Sequence, residues 1–83
     1  MSVVLDDRAE DIVVTKNGKF LKVVTDYVPF PMGRDMYETG VFPCSKQGIV
    51  NYKSEVDFAL TRDKAEADQN HADMVNKWMK ATL

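Results

Sequence analysis

Two runs of β-branched residues meet at an asparagine–glycine pair, and this arrangement constrains the chain more than any other feature. Asp11-Ile12-Val13-Val14-Thr15-Lys16 carries side chains that suit a pleated strand. Asn17-Gly18 follows, the pair that most readily takes the positive φ angles of a two-residue type I′ turn, and Lys19 to Val28 supplies the returning strand. A chain of 83 residues has room for one domain and one core, so every later element must pack on this hairpin. The single domain spans 1–83, with 1–10 as a lead-in. Asp6, Asp7, Glu10 and Asp11 make that entry acidic, but the spacing and central glycine of a calcium loop are missing. A solvated segment is the better reading.

Pro29 to Asp35 interrupts the pattern, because two prolines remove backbone donors and Gly33 adds freedom. Strand character returns over Met36 to Phe42, and Pro43 to Gly48 reads as a loop. A final strand is predicted within Ile49 to Thr61. There Tyr52, Val56, Phe58 and Leu60 alternate with Lys53, Glu55 and Asp57, which assigns the apolar set to a dry face. Asp63 then stands as a helix N-cap, with Glu66 three residues on in a capping-box position. Ala67, His71, Met74, Val75, Trp78 and Ala81 share one face of that helix. The fold class expected is α+β: a small antiparallel β-sheet of about four strands, beginning with the hairpin, packed against one C-terminal α-helix.

Several chemistries find no support in the residues. One cysteine and one histidine cannot close a four-ligand zinc site within one chain, and the lone thiol cannot form an internal disulfide. No glycine-rich phosphate loop or nucleophile elbow is present. Cys44 and His71 could pair as nucleophile and base, but a histidine on the apolar stripe of a helix is usually packed structure. The expectation is a non-enzyme without metal or cofactor. No signal sequence or membrane span is readable, so the chain is expected to be soluble and cytoplasmic.

Binding remains. A net charge of −2 disfavours a dedicated nucleic-acid binder, although Lys16, Lys19 and Lys22 cluster on the hairpin and Tyr27, Tyr37 and Tyr52 are of a type that stacks on bases. Edge protection explains the lysines more simply. Protein binding has a more particular candidate: Phe30, Met32, Arg34 and Met36 lie in one irregular stretch, with Tyr37 next to it. Aromatic residues, methionine and arginine are enriched at protein interfaces. The competing reading folds Phe30 and a methionine inward as a lid. An uncovered strand edge would also allow a homo-oligomer.

Tyr37-Glu38-Thr39-Gly40-Val41-Phe42-Pro43, taken with Ala67, His71, Val75 and Trp78, resembles a family of small uncharacterised proteins of tailed bacteriophages and prophages. The likeness covers roughly the second half of the chain. Gly40 stands where the family carries methionine, which points to altered packing or a bulge at that position. The resemblance implies an accessory protein made in the cytoplasm of a bacterial host, one that binds and modulates or inhibits a host or phage protein. A component of host defence or transcription is the partner type it suggests. A weak nucleic-acid-binding factor and a minor virion or assembly protein are the alternatives.

Overall fold

The computed structural model describes residues 8–28 and 36–83. Four strands, β1 (Ala9–Val14), β2 (Phe20–Val28), β3 (Met36–Pro43) and β4 (Asp57–Thr61), precede one helix, α1 (Lys64–Met79). The strands pair in chain order as an antiparallel sheet. The helix lies across one face, which makes an α+β domain of two layers. β1 begins at Ala9, so the strand takes in Ala9 and Glu10, two residues that the sequence assigns to the lead-in.

The register decides which side chains meet the helix. Val13 stands opposite Leu21, Val23 opposite both Asp11 and Val41, and Thr25 opposite Thr39. Successive strand residues point to opposite faces. Val13, Leu21, Val23 and Val41 therefore share the covered side, where they close a core with Met74. Ala67, with no exposed surface, lets the first turns of α1 approach the sheet closely, and Val75 and Trp78 pack against the core edge. Burying each Val, Leu or Met contributes roughly 1.5–3 kcal/mol, so a core this small leaves little margin.

Several local expectations change. The hairpin turn is wider than the two-residue form. The Gly18 N–H donates to the Thr15 carbonyl at 3.0 Å and the Thr15 N–H to the Lys19 carbonyl at 2.9 Å, leaving residues 16–18 as the loop. Gly18 at φ 82° supplies the left-handed position that closes it. Asn17 does different work. Its side chain accepts from the Thr15 hydroxyl at 2.6 Å and from the Leu83 N–H at 3.2 Å, tying the end of the chain to the loop. Residues 45–49 repeat the arrangement, with Gly48 at φ 90° and the Ser45 hydroxyl accepting from the Ile49 N–H as the Thr15 hydroxyl does from Lys19.

The helix start also differs. Asp63 is the cap, its carboxylate accepting from the Ala65 N–H at 3.1 Å. Glu66 does not reach back to the cap's own N–H, as a capping box requires. Thr61 takes that place: its hydroxyl accepts from the Asp63 N–H at 3.2 Å and donates to Glu66 at 2.5 Å. At the other end α1 stops at Met79. Ala81 lies beyond it and accepts from the Lys16 N–H.

The largest correction concerns β4. Tyr37 pairs with Thr61, Thr39 with Ala59 and Val41 with Asp57, so the covered side of β4 carries Asp57, Ala59 and Thr61. Phe58 and Leu60, expected on the dry face, point the other way and are 48% and 43% exposed. Asp57 holds the inner position because it bonds the helix: its Oδ2 accepts from the Trp78 indole at 3.0 Å and from Lys77 Nζ at 2.7 Å. Gly40 produces no bulge. It stays in register with Val24 and Phe58 while the Phe42 ring lies over its bare Cα.

Candidate protein-binding surface

The face away from the helix is the most distinctive surface of the molecule. Strand alternation places Glu10, Ile12 and Val14 of β1 on it, then Phe20, Lys22, Val24 and Asp26 of β2. β3 contributes Met36, Glu38, Gly40 and Phe42, and β4 contributes Phe58 and Leu60. Ile12, Val14, Phe58 and Leu60 are all exposed there, and Ile49 and Tyr52 on the β3–β4 connection are exposed as well. A half-buried sheet normally turns polar residues to this side. Here large apolar side chains sit at both outer strands.

The middle of the face is charged and ordered. Lys22 Nζ lies 2.8 Å from Glu10, and Arg8 bridges Glu10 at 2.6 Å and Asp26 at 2.5 Å. Bonds from Lys22 and Arg8 hold the Glu10 carboxyl below its usual range, and the Glu10 bond in turn raises Lys22. These groups are near solvent, so the network fixes geometry more than it adds stability. Beside it Phe42 meets Tyr52 edge to face, with ring centroids 5.1 Å apart. The hollow between network and rings has a volume of about 170 Å³, floored by Val24 and Gly40.

The opposite face carries a polar chain beneath the helix. Thr39 and Thr25 hydroxyls are 2.8 Å apart, Thr25 Oγ1 is 2.7 Å from His71 Nδ1, and His71 Nε2 is 2.7 Å from Asp11 Oδ2. A carboxylate only accepts, so His71 donates from Nε2 to Asp11, and its Nδ1 bonds the Thr25 hydroxyl, which in turn bonds that of Thr39. The order of groups resembles a hydroxyl–imidazole–carboxylate triad. Both hydroxyls are buried, at 5% and 1% exposure, which shields them from any substrate. The chain joins edge strand β1 to α1 and α1 in turn to the two central strands, and it satisfies the polar groups it buries.

The residues singled out in the sequence separate accordingly. Phe30, Met32 and Arg34 lie outside the described residues. Met36 is half-buried and paired with Val28 on the open face. Tyr37 turns to the helix side, where its ring lies 5.4 Å from Tyr27. Tyr52 stands on the other face, so the three tyrosines form no common stacking platform. Lys22 is committed to Glu10. Cys44, next after inward-facing Pro43, sits on the open side, and burial raises its thiol, so it makes no pair with His71. Sequence reasoning missed Ile12, Val14, Phe42, Phe58 and Leu60 as surface residues. The signal was present in Ile12-Val13-Val14, where apolar residues fill both faces of one strand.

Among the described residues no group of three or more His, Cys, Asp or Glu side chains is placed to hold a metal ion. No described helix is long and apolar enough to cross a membrane. Comparison with models of protein families, with curated proteins and with solved structures finds no match.

Proposed function

We propose that this chain is a non-enzymatic protein-binding module that docks through the open face of its sheet. The observation that carries the reading is the outward orientation of Phe58 and Leu60 on β4 and of Ile12 and Val14 on β1. Apolar surface gathered on one side of a small domain marks an interaction site far more often than scattered single residues do. The aromatic pair Phe42–Tyr52 beside the charged middle supplies rigid contact area of the kind that anchors interfaces. Met36 adds a flexible apolar side chain at one end.

The partner proposed is a protein of a bacterial host or of a phage, with the chain as a cytoplasmic modulator or inhibitor. Host-defence and transcription components are the partner types. This part of the proposal rests on the likeness of the Tyr37–Pro43 strand and the Ala67, His71, Val75, Trp78 helix to phage and prophage proteins. Affinity capture from bacterial lysate with the parent chain and with Phe58→Glu tests it. A specific protein recovered by the parent and lost with the variant is expected. Equal recovery by both chains would contradict the docking face.

A further inference from the structure

We propose that the hollow lined by Gly40, Phe42 and Tyr52 is a socket for one arginine side chain presented by the protein partner. The inference rests on the protein-binding reading and names the chemistry at its centre. The hollow, about 170 Å³, has room for several waters or the head of one long side chain. One wall is aromatic. Phe42 packs on Gly40, where a Cβ would stand 2.7 Å from its ring, and Tyr52 closes the side.

The remaining walls are acidic in a particular way. Arg8, Lys22, Glu10 and Asp26 bond one another, so their charges cancel. Glu38 lines the hollow, and Glu55 leans toward it, its Oε2 lying 2.9 Å from where a Gly40 Cβ would be. Neither carboxylate has an ion pair among the described residues. Two uncompensated acids beside an aromatic face call for a cation that can stack and also bond a carboxylate. A planar guanidinium does both, whereas an ammonium is a strongly hydrated point charge. The chain supplies its own precedent nearby: Arg8 spans Glu10 and Asp26 on this same face. The apolar rim of Phe58 and Leu60 then fits hydrophobic residues flanking the partner's arginine.

The test is an NMR titration of the full chain with blocked leucyl-arginyl-leucine amide and with its citrulline counterpart, which keeps the shape and removes the charge. Saturable shifts at the Gly40 and Glu38 amides and the Tyr52 ring are expected with the arginine peptide. Binding at least about fivefold weaker is expected with citrulline, and likewise for the Glu38→Gln, Glu55→Gln double variant. Both substitutions are at the surface, and retained spectral dispersion shows that the variant is folded. No shift at these positions, or equal binding of the two peptides, would overturn the socket. Neither result touches the docking face, which fails separately if Phe58→Glu leaves partner capture unchanged.

Discussion

The indole Nε1 of Trp78 donates to Asp57 Oδ2 at 3.0 Å, and this bond fixes which side of β4 faces the helix. Lys77 reaches the same oxygen at 2.7 Å while its ammonium stands 5.1 Å from the Trp78 ring centroid. One carboxylate thus anchors the last turns of α1 to an outer strand. Once Asp57 is turned inward, pleating forces Phe58 and Leu60 outward. Helix docking and the apolar open face have the same origin.

Trp78 is packed on the core edge and hydrogen-bonded as well. Trp78→Ala is expected to lower stability by about 3 kcal/mol through lost packing and an abandoned acceptor. Trp78→Phe retains the ring and loses the bond, for a cost of about 1 kcal/mol. Urea unfolding of the two variants separates packing from bonding. A cost-free Trp78→Phe would mean that the indole bond carries no weight, and equal costs that the ring's packing carries none.

Acid sensitivity follows from the same carboxylate. Burial works to raise Asp57, but the bonds from Lys77, Trp78 and the Phe58 N–H outweigh it and hold the group below its ordinary 3.8. A depressed folded value means that the unfolded chain binds the proton more readily. The contribution is complete above the unfolded value and is lost as pH falls through 3.8 toward the lower folded value. Asp57→Asn should therefore flatten the stability profile below about pH 5. Unfolding midpoints measured across the acid range check this, and an unchanged slope would contradict it.

Thr61 and Asp63 share the start of α1. Asp63→Ala is expected to cost about 1 kcal/mol through loss of the cap to Ala65. Thr61→Val removes both the acceptor for the Asp63 N–H and the donor to Glu66, and should cost at least as much, about 1–2 kcal/mol. A neutral Thr61→Val would return the capping role to Glu66.

The polar chain Thr39–Thr25–His71–Asp11, buried at its two threonines, predicts non-additive losses. Thr25→Val leaves Thr39 and His71 without their shared partner and is expected to cost about 1–3 kcal/mol. Adding Thr39→Val removes one of the orphaned groups, so the pair should cost less than the sum of the singles. A double-mutant cycle in urea measures the difference. Strict additivity would mean that the hydroxyls act independently.

The sequence made the architecture readable where local chemistry acts alone. Gly18 needs a positive φ wherever the strands turn, and Asp63 caps the helix with no help from distant residues. It was less readable where the deciding contact is remote. Asn17 is held by Leu83, 66 positions away, so its presence beside Gly18 suggested a tighter turn than the chain makes. The faces of β4 were misread for the same reason. Phe58 and Leu60 look like core beside Asp57, and the bonds that Lys77 and Trp78 send to Asp57, across 20 and 21 positions, reverse them. Glu66 sat at capping-box spacing, yet Thr61 intervened. Of the expected contact residues, Met36 falls on the open face, Tyr37 on the covered one, and Phe30, Met32 and Arg34 outside the described residues.

Methyl NMR of the full chain with a soluble paramagnetic probe examines the orientation of the sheet most directly. Methyl signals of Ile12, Val14 and Leu60 should be strongly broadened, while those of Leu21, Val23 and Val41 stay sharp beneath the helix. Protected Leu60 methyls, with broadening at Val41, would place the apolar side of β4 in the core and remove the docking face.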